Sequence, residues 1–358
     1  MSITNRKANV CSLGFTLSTA RSRAQIALRA AALAVLGSAC IGCARAPVVR
    51  FERGEAALTV RRPALYPETI EYDAPRDRFL LGSFREGAIF RVDARGNAAI
   101  LVDDPRLCSV LGIAVDAARG RLWAVNADLG ASTKPSSVGP KRLAAVGIYD
   151  LGTGKVIQYL DLAPLSSGPR LLNGIALDSA GNAYVTDSFS STIYRVDAEG
   201  QAKVLVQDAR FAGEGITLNG LVVHPDGYLL VIKKSDGALF KVPLSAPTQV
   251  SKVDIAEQFV GGDGVTLIGK SALLVIANQI PGRASNAAYA LSSEDGWVTA
   301  KLRAVRDLGN VYPTTAVLRR RRIYALHSQL NELISAPAEQ KAQLRMEATI
   351  ESIGKVLE

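Results

Sequence analysis

The chain has little cysteine, little histidine and no apolar run long enough to span a membrane: four cysteines and two histidines in 358 residues. Cys11, Cys40 and Cys43 fall near the N-terminus, leaving only Cys108 for the body of the chain. That excludes an internal disulfide framework, and a chain of this length needs none. Acidic residues are missing from the first forty-six positions, which hold Arg6, Lys7, Arg21, Arg23, Arg29 and Arg45. The formal charge of +9 is therefore concentrated there, and the remainder, about +3, is an ordinary soluble surface with no call for a nucleic-acid partner.

The basic residues up to Arg29 precede an apolar run from Ala31 to Cys43, shorter than the ~20 residues a membrane span needs. Residues 1–46 read as an export signal and 47–358 as one domain, placing the protein in a periplasm or outside the cell. Cleavage after Ala46, lipidation at Cys40 or Cys43 giving a membrane anchor, and an uncleaved membrane-associated segment are the alternatives.

What is abundant is a repeat. Leu171 to Gly200 reads as an apolar strand, a tight turn, a second strand, a polar loop and a third strand. Asn173 to Val196 aligns without a gap on Asn219 to Val242, and related units open at Glu68, Leu111, Asp263 and Thr314. The openings are spaced 43, 62, 46, 44 and 51 residues apart. Meanders at such a period predict an all-β, six-bladed β-propeller with four-stranded antiparallel blades. The long gap holds a Ser-, Pro- and Gly-containing insertion from Ala127 to Ala144, expected to be a lid or rim element over one face. Val48 to Val60 and Met346 to Ile353 are both candidates to close the ring, since an open sheet edge would pair with other chains.

The first strand of a propeller blade lines the central channel, so the six opening residues should meet around one ring. Glu68, Asn173, Asn219 and Asp263 bring two carboxylates and two carboxamides together there. Buried charges of one sign need a counter-charge. A hard divalent cation held by oxygen, Ca2+ rather than Mg2+, would supply it. The ring contains no histidine or cysteine, which disfavours zinc or copper. Turn-capping by asparagine before glycine would explain Asn173 and Asn219 but not Glu68 and Asp263.

The ends of the second strands, Ser83, Asn126, Asp187, Lys233, Asn278 and His327, are expected on the same rim. Asn126, Asp187, Lys233 and Asn278 are candidate substrate contacts and His327 a candidate for proton transfer, each weighed against a solvated or paired rim residue. His224, beside Pro225 and Asp226, belongs to the opposite turn and reads as a surface residue, and Arg319 to Arg322 as a solvated run.

The units PETIEYD, LLNGIALDSAGNAYVTDS, LNGLVVHPDG and GGDGVTL resemble the calcium-dependent six-bladed propellers that include gluconolactonase, regucalcin, diisopropylfluorophosphatase and, more distantly, paraoxonase. The resemblance covers roughly Tyr66 to Ser335. It implies that Glu68, Asn173, Asn219 and Asp263 hold a catalytic calcium. The activity expected is hydrolysis of a small-molecule lactone or related ester by a monomer, with Asp263 as ligand and base. A non-catalytic, calcium-stabilised propeller gripping a sugar, peptide or envelope partner is the rival expectation.

Overall fold

A computed structural model of the protein describes residues 47–357 except 53–56 and 280–284. The expectations placed on residues 1–46 lie outside the described residues.

Blade one consists of Pro67–Asp73, Arg78–Ser83, Ile89–Val92 and Ala98–Val102. Blade two follows with Ser109–Asp116, Arg121–Ala127, Ala144–Asp150 and Val156–Asp161, and blade three with Leu172–Leu177, Ala183–Asp187, Thr192–Val196 and Ala202–Gln207. Blade four has Leu218–His224, Tyr228–Lys233, Leu239–Pro243 and the two-residue outer strand Ser251–Lys252, which carries no sequence signal of its own. Blade five has Gly262–Ile268, Ala272–Ala277, Ala287–Ser292 and Lys301–Asp307. All these strand pairs are antiparallel, so the six-bladed propeller expected from the repeat is the fold observed.

Blade six uses both terminal segments. Pro313–Arg319 and Arg322–His327 pair in sequence, Thr349–Leu357 is the third strand, and Val48–Phe51 lies outside it, with Val48 opposite Leu357. Ala57–Thr59 continues along the same strand, Ala57 opposite Glu351. The two candidates for closure thus pair with each other. The ring is shut by backbone hydrogen bonds between the two ends of the domain, leaving no free inner edge.

Six hydrophobic clusters fill the six gaps between neighbouring blades; Phe79, Phe90, Leu326 and Ile350, for example, pack blade six on blade one. A seventh cluster lies apart from these. It joins Tyr66, Phe84, Leu111, Ala127, Ala131 and Leu171 to Leu330 and Leu333 of the short helix α1 (Leu330–Ser335), with Leu129, Tyr312 and Met346 packed against it. The insertion after Ala127 is a strandless loop tied down by polar contacts: Asp128 accepts from the Gly130 and Ser136 amides, and Ser132 donates to the Cys108 carbonyl. Insertion and α1 together form an apolar cap on the side where the blades open.

Candidate functional site

Every blade carries the same defect. The register of first strand against second slips between Pro67 and Thr69, Val110 and Gly112, Leu172 and Ile175, Leu218 and Leu221, Gly262 and Val265, and Pro313 and Ala316. In each case the interval contains the opening residue: Glu68, Leu111, Asn173, Asn219, Asp263 or Thr314. A bulge leaves one residue unpaired and re-aims its side chain. Six bulges at one level turn six openers toward the axis.

The small residue after the opener lets the blades close up there. A Cβ on Gly112 would lie 2.4 Å from the Asn173 carbonyl oxygen, and one on Gly220 would lie 2.5 Å from that of Asp263. Glycine after the opener at these positions therefore serves the approach of the next blade's backbone rather than a turn.

All six openers line one axial channel of about 420 Å³, together with the residues below them on the same strands. Leu111, Asn173, Asn219 and Asp263 are each 4% exposed, whereas Glu71, Leu177, Val223 and Leu267 nearer the turns are more open. The openers thus form the closed end of the channel, on the side of the apolar cap.

At this end stands a cluster led by a residue the sequence reading passed over. Lys234, 5% exposed, donates to Asp263 Oδ2 at 2.7 Å and to Asn278 Oδ1. Asn278 in turn donates from Nδ2 to Asp263 Oδ2 and, at 2.9 Å, to the Pro313 carbonyl, so one carboxamide holds both members of the ion pair. The Tyr312 ring lies 5.8 Å from Lys234 Nζ. Asn173 donates to Ser188 Oγ at 3.1 Å, while the Glu68 and Asn219 side chains form no hydrogen bond among the described residues.

The electrostatics follow from this packing. Burial pushes the Glu68 carboxyl well above its ordinary range, the Asp263 charge pushes it further, and Lys234 pulls the other way. For Lys234, burial works against the charge, yet Asp263, Tyr312 and Glu68 around it hold the ammonium above the usual lysine value. Lower in the channel Glu71 is pushed to about 7 by burial, with the Tyr72 amide on its Oε2 opposing.

The strand-end residues are positioned differently from expectation. Ser83, Asn126, Asp187, Lys233 and His327 all lie opposite the residue preceding an opener, and their side chains turn away from the channel. Ser83 donates to the Leu65 carbonyl, Asn126 accepts from the Cys108 amide and Asp187 from the Leu171 amide, each pinning the lead-in of its own blade. Lys233 pairs with Asp236 at 2.9 Å and donates to the Arg210 carbonyl. The His327 ring lies 3.2 Å from Glu351 Oε2, and burial, then Arg306, pushes its pKa down to about 4. In blade five the equivalent residue is Ala277, so Asn278 stands one position further on. The next residue in each blade, Phe84, Ala127, Ser188, Lys234, Asn278 or Ser328, is the one that meets the ring or its cap. A one-residue step along a strand reverses the face. His224 is also not the surface residue expected: it is 2% exposed, stacked on Tyr228, with Nε2 2.8 Å from the Lys270 carbonyl.

Whether the ring suits a resident calcium ion can be judged from its donors. Glu68, Asn173, Asn219 and Asp263 are the right oxygen types and come from four blades. The Lys234 ammonium, however, sits on Asp263, and that carboxylate's Oδ2 already takes two donors. As arranged, the ring does not fit a divalent ion.

No protein-family model and no curated protein matches the chain. Solved structures do resemble it. The Malassezia sympodialis allergen Mala s 1 superposes with a TM-score of 0.66 at 18% identity, covering 85% of this chain and 96% of that one. A gluconolactonase-family propeller gives 0.57 at 15% identity over 86% and 96%. Luciferin-regenerating enzyme gives 0.54 at 14% identity over 87% and 97%. At these identities the likeness establishes the propeller frame.

Proposed function

We propose that this protein is a small-molecule hydrolase that opens a lactone or related ester at the closed end of its axial channel. One observation carries the reading: a buried Lys234–Asp263 pair, 2.7 Å apart, adjoins a channel of about 420 Å³ that the Glu68 and Asn219 side chains line without a hydrogen bond among the described residues. A concave site with a few convergent polar groups is where a small molecule is held and worked on. The gluconolactonase-family and luciferin-regenerating neighbours support the frame as one that carries enzymes.

The chemistry uses this chain's own residues. Water adds to the carbonyl carbon while Asp263, through the oxygen not bonded to Lys234, takes its proton. Charge developing on the carbonyl oxygen is met by a carboxamide N–H of Asn219, with the Lys234 ammonium behind Asp263 adding its field from outside the channel lining. The proton then passes from Asp263 to the departing alkoxide, which in a lactone stays attached as the product's hydroxyl. Export of the protein remains part of the proposal, resting on residues 1–46 of the sequence alone.

The test is turnover of aldonolactones, homoserine lactones, aryl esters and phosphotriesters by the wild type and by Asp263→Asn. The expected result is hydrolysis of one class, with kcat lower by about 10²-fold or more in the variant. No turnover in any class would favour the rival, a propeller that only binds, for which the apolar cap over the ring speaks.

A further inference from the structure

Glu68 and Asp263 bring two carboxylates to one end of a narrow channel, and a carboxylate taken out of water needs a bonded partner. The protein supplies one from within. At the end of blade four's second strand stand two adjacent lysines, Lys233 its last residue and Lys234 the first beyond it, whose side chains part company: Lys233 bonds Asp236 on its own hairpin, while Lys234 crosses to Asp263 on the next blade. Lys234 is buried, as are Asp263 and Asn278.

We propose that Lys234 is a tethered counter-cation that takes, at the axial ring, the place a divalent ion would otherwise have, so that the folded protein keeps its ring intact without bound metal. Three features of the geometry support this. Asp263 Oδ2 takes both Lys234 Nζ and Asn278 Nδ2, so the charge of this carboxylate is already matched by a fixed ammonium and only its other oxygen is left for a further ligand. Asn278 is fixed in turn by the Pro313 carbonyl, so its amide orientation, oxygen toward the ammonium and nitrogen toward the carboxylate, is set by three partners at once. The face of Tyr312 closes on the ammonium at 5.8 Å, a favourable contact for a cation. The second carboxylate, Glu68, lines the channel beside it without a hydrogen bond of its own among the described residues. A divalent ion among the four oxygen ligands would have to share this end with a fixed positive charge, which repels it.

The inference concerns the charge of the ring and stands or falls independently of any hydrolysis. It is tested by thermal unfolding of the full chain in calcium chloride and in EGTA, for the wild type, Lys234→Met and Lys234→Gln. A ligand that binds only the folded state raises Tm by mass action. The wild type is expected to melt at the same temperature in both solutions. Each variant is expected to melt lower than the wild type in EGTA and to regain several degrees as calcium is added, with saturation at one ion per chain in calorimetry. Should Lys234→Met fail to fold, Lys234→Gln carries the comparison, because its amide can still bond Asp263. A wild-type Tm that climbs with calcium and drops in EGTA overturns the proposal, as does a folded variant that gains no response to calcium.

Discussion

Lys234 Nζ lies 2.7 Å from Asp263 Oδ2, joining the end of blade four's second strand to the opener of blade five, with both side chains almost fully buried. Removing one partner of such a pair leaves an uncompensated charge, whereas removing both leaves none. Lys234→Met and Asp263→Asn are each expected to cost about 3 kcal/mol or more, and the double variant clearly less than the sum. Urea denaturation of the four proteins measures this; additive losses would mean the two groups do not act as a pair.

Gly220 and Gly227 make a contrast within blade four. A Cβ on Gly220 would meet the Asp263 carbonyl oxygen at 2.5 Å, while one on Gly227 meets nothing within 4 Å although its φ is +84°. Gly227→Ala carries only the left-handed strain, about 1 kcal/mol. Gly220→Ala carries no such strain but must push two first strands apart, and is expected to cost at least twice as much. Equal effects in denaturant titrations would show that the close approach around the axis is not what glycine serves there.

Glu71 gives the protein a pH dependence that can be isolated. Its folded pKa is raised from 4.5 to about 7, so its contribution to stability is full below 4.5 and is lost as the pH rises through 7. Water in the channel tempers the burial cost, which makes the loss about 1–3 kcal/mol. Glu71→Gln should match the wild type near pH 4 and exceed it by that amount at pH 8. A variant no more stable at pH 8 would place the carboxylate in a better-solvated setting than the channel wall provides.

Arg85 is 7% exposed and its guanidinium forms no hydrogen bond among the described residues, its Nη1 being fully enclosed; the Tyr66 ring lies 6.0 Å from its Cζ. A buried cation without an acceptor is a liability, and an apolar replacement of similar length is often neutral or better. Arg85→Met is therefore expected to leave Tm unchanged or raise it. A marked fall in Tm would mean that the guanidinium has a partner under the cap.

The propeller was legible because six openers recur at one period, each followed by apolar strands and a turn. Closure was legible only as a pair of candidates, since the pairing of Val48–Phe51 with Thr349–Leu357 joins segments some three hundred residues apart and no local pattern encodes it. At the site, the openers lay on one ring as the repeat suggested. The strand ends misled because alternate residues face opposite ways: aligning Asn278 with Lys233 ignored that Gly262 pairs with Ala277, and so put Lys234 out of view. The doubled lysine in VIKK was the available signal, since one of two successive strand residues must face inward. Half of the cap was legible, since the insertion carrying Leu129 interrupts the repeat; the helix that brings Leu330 and Leu333 to it follows no repeat and was not.

The most direct measurement is a crystal structure of the full chain grown in millimolar calcium. The account predicts Lys234 Nζ in hydrogen-bond contact with Asp263 Oδ2 and Asn278 Oδ1, and no ion among Glu68, Asn173, Asn219 and Asp263. A cation coordinated by those four side chains, with Lys234 swung clear of Asp263, would contradict it.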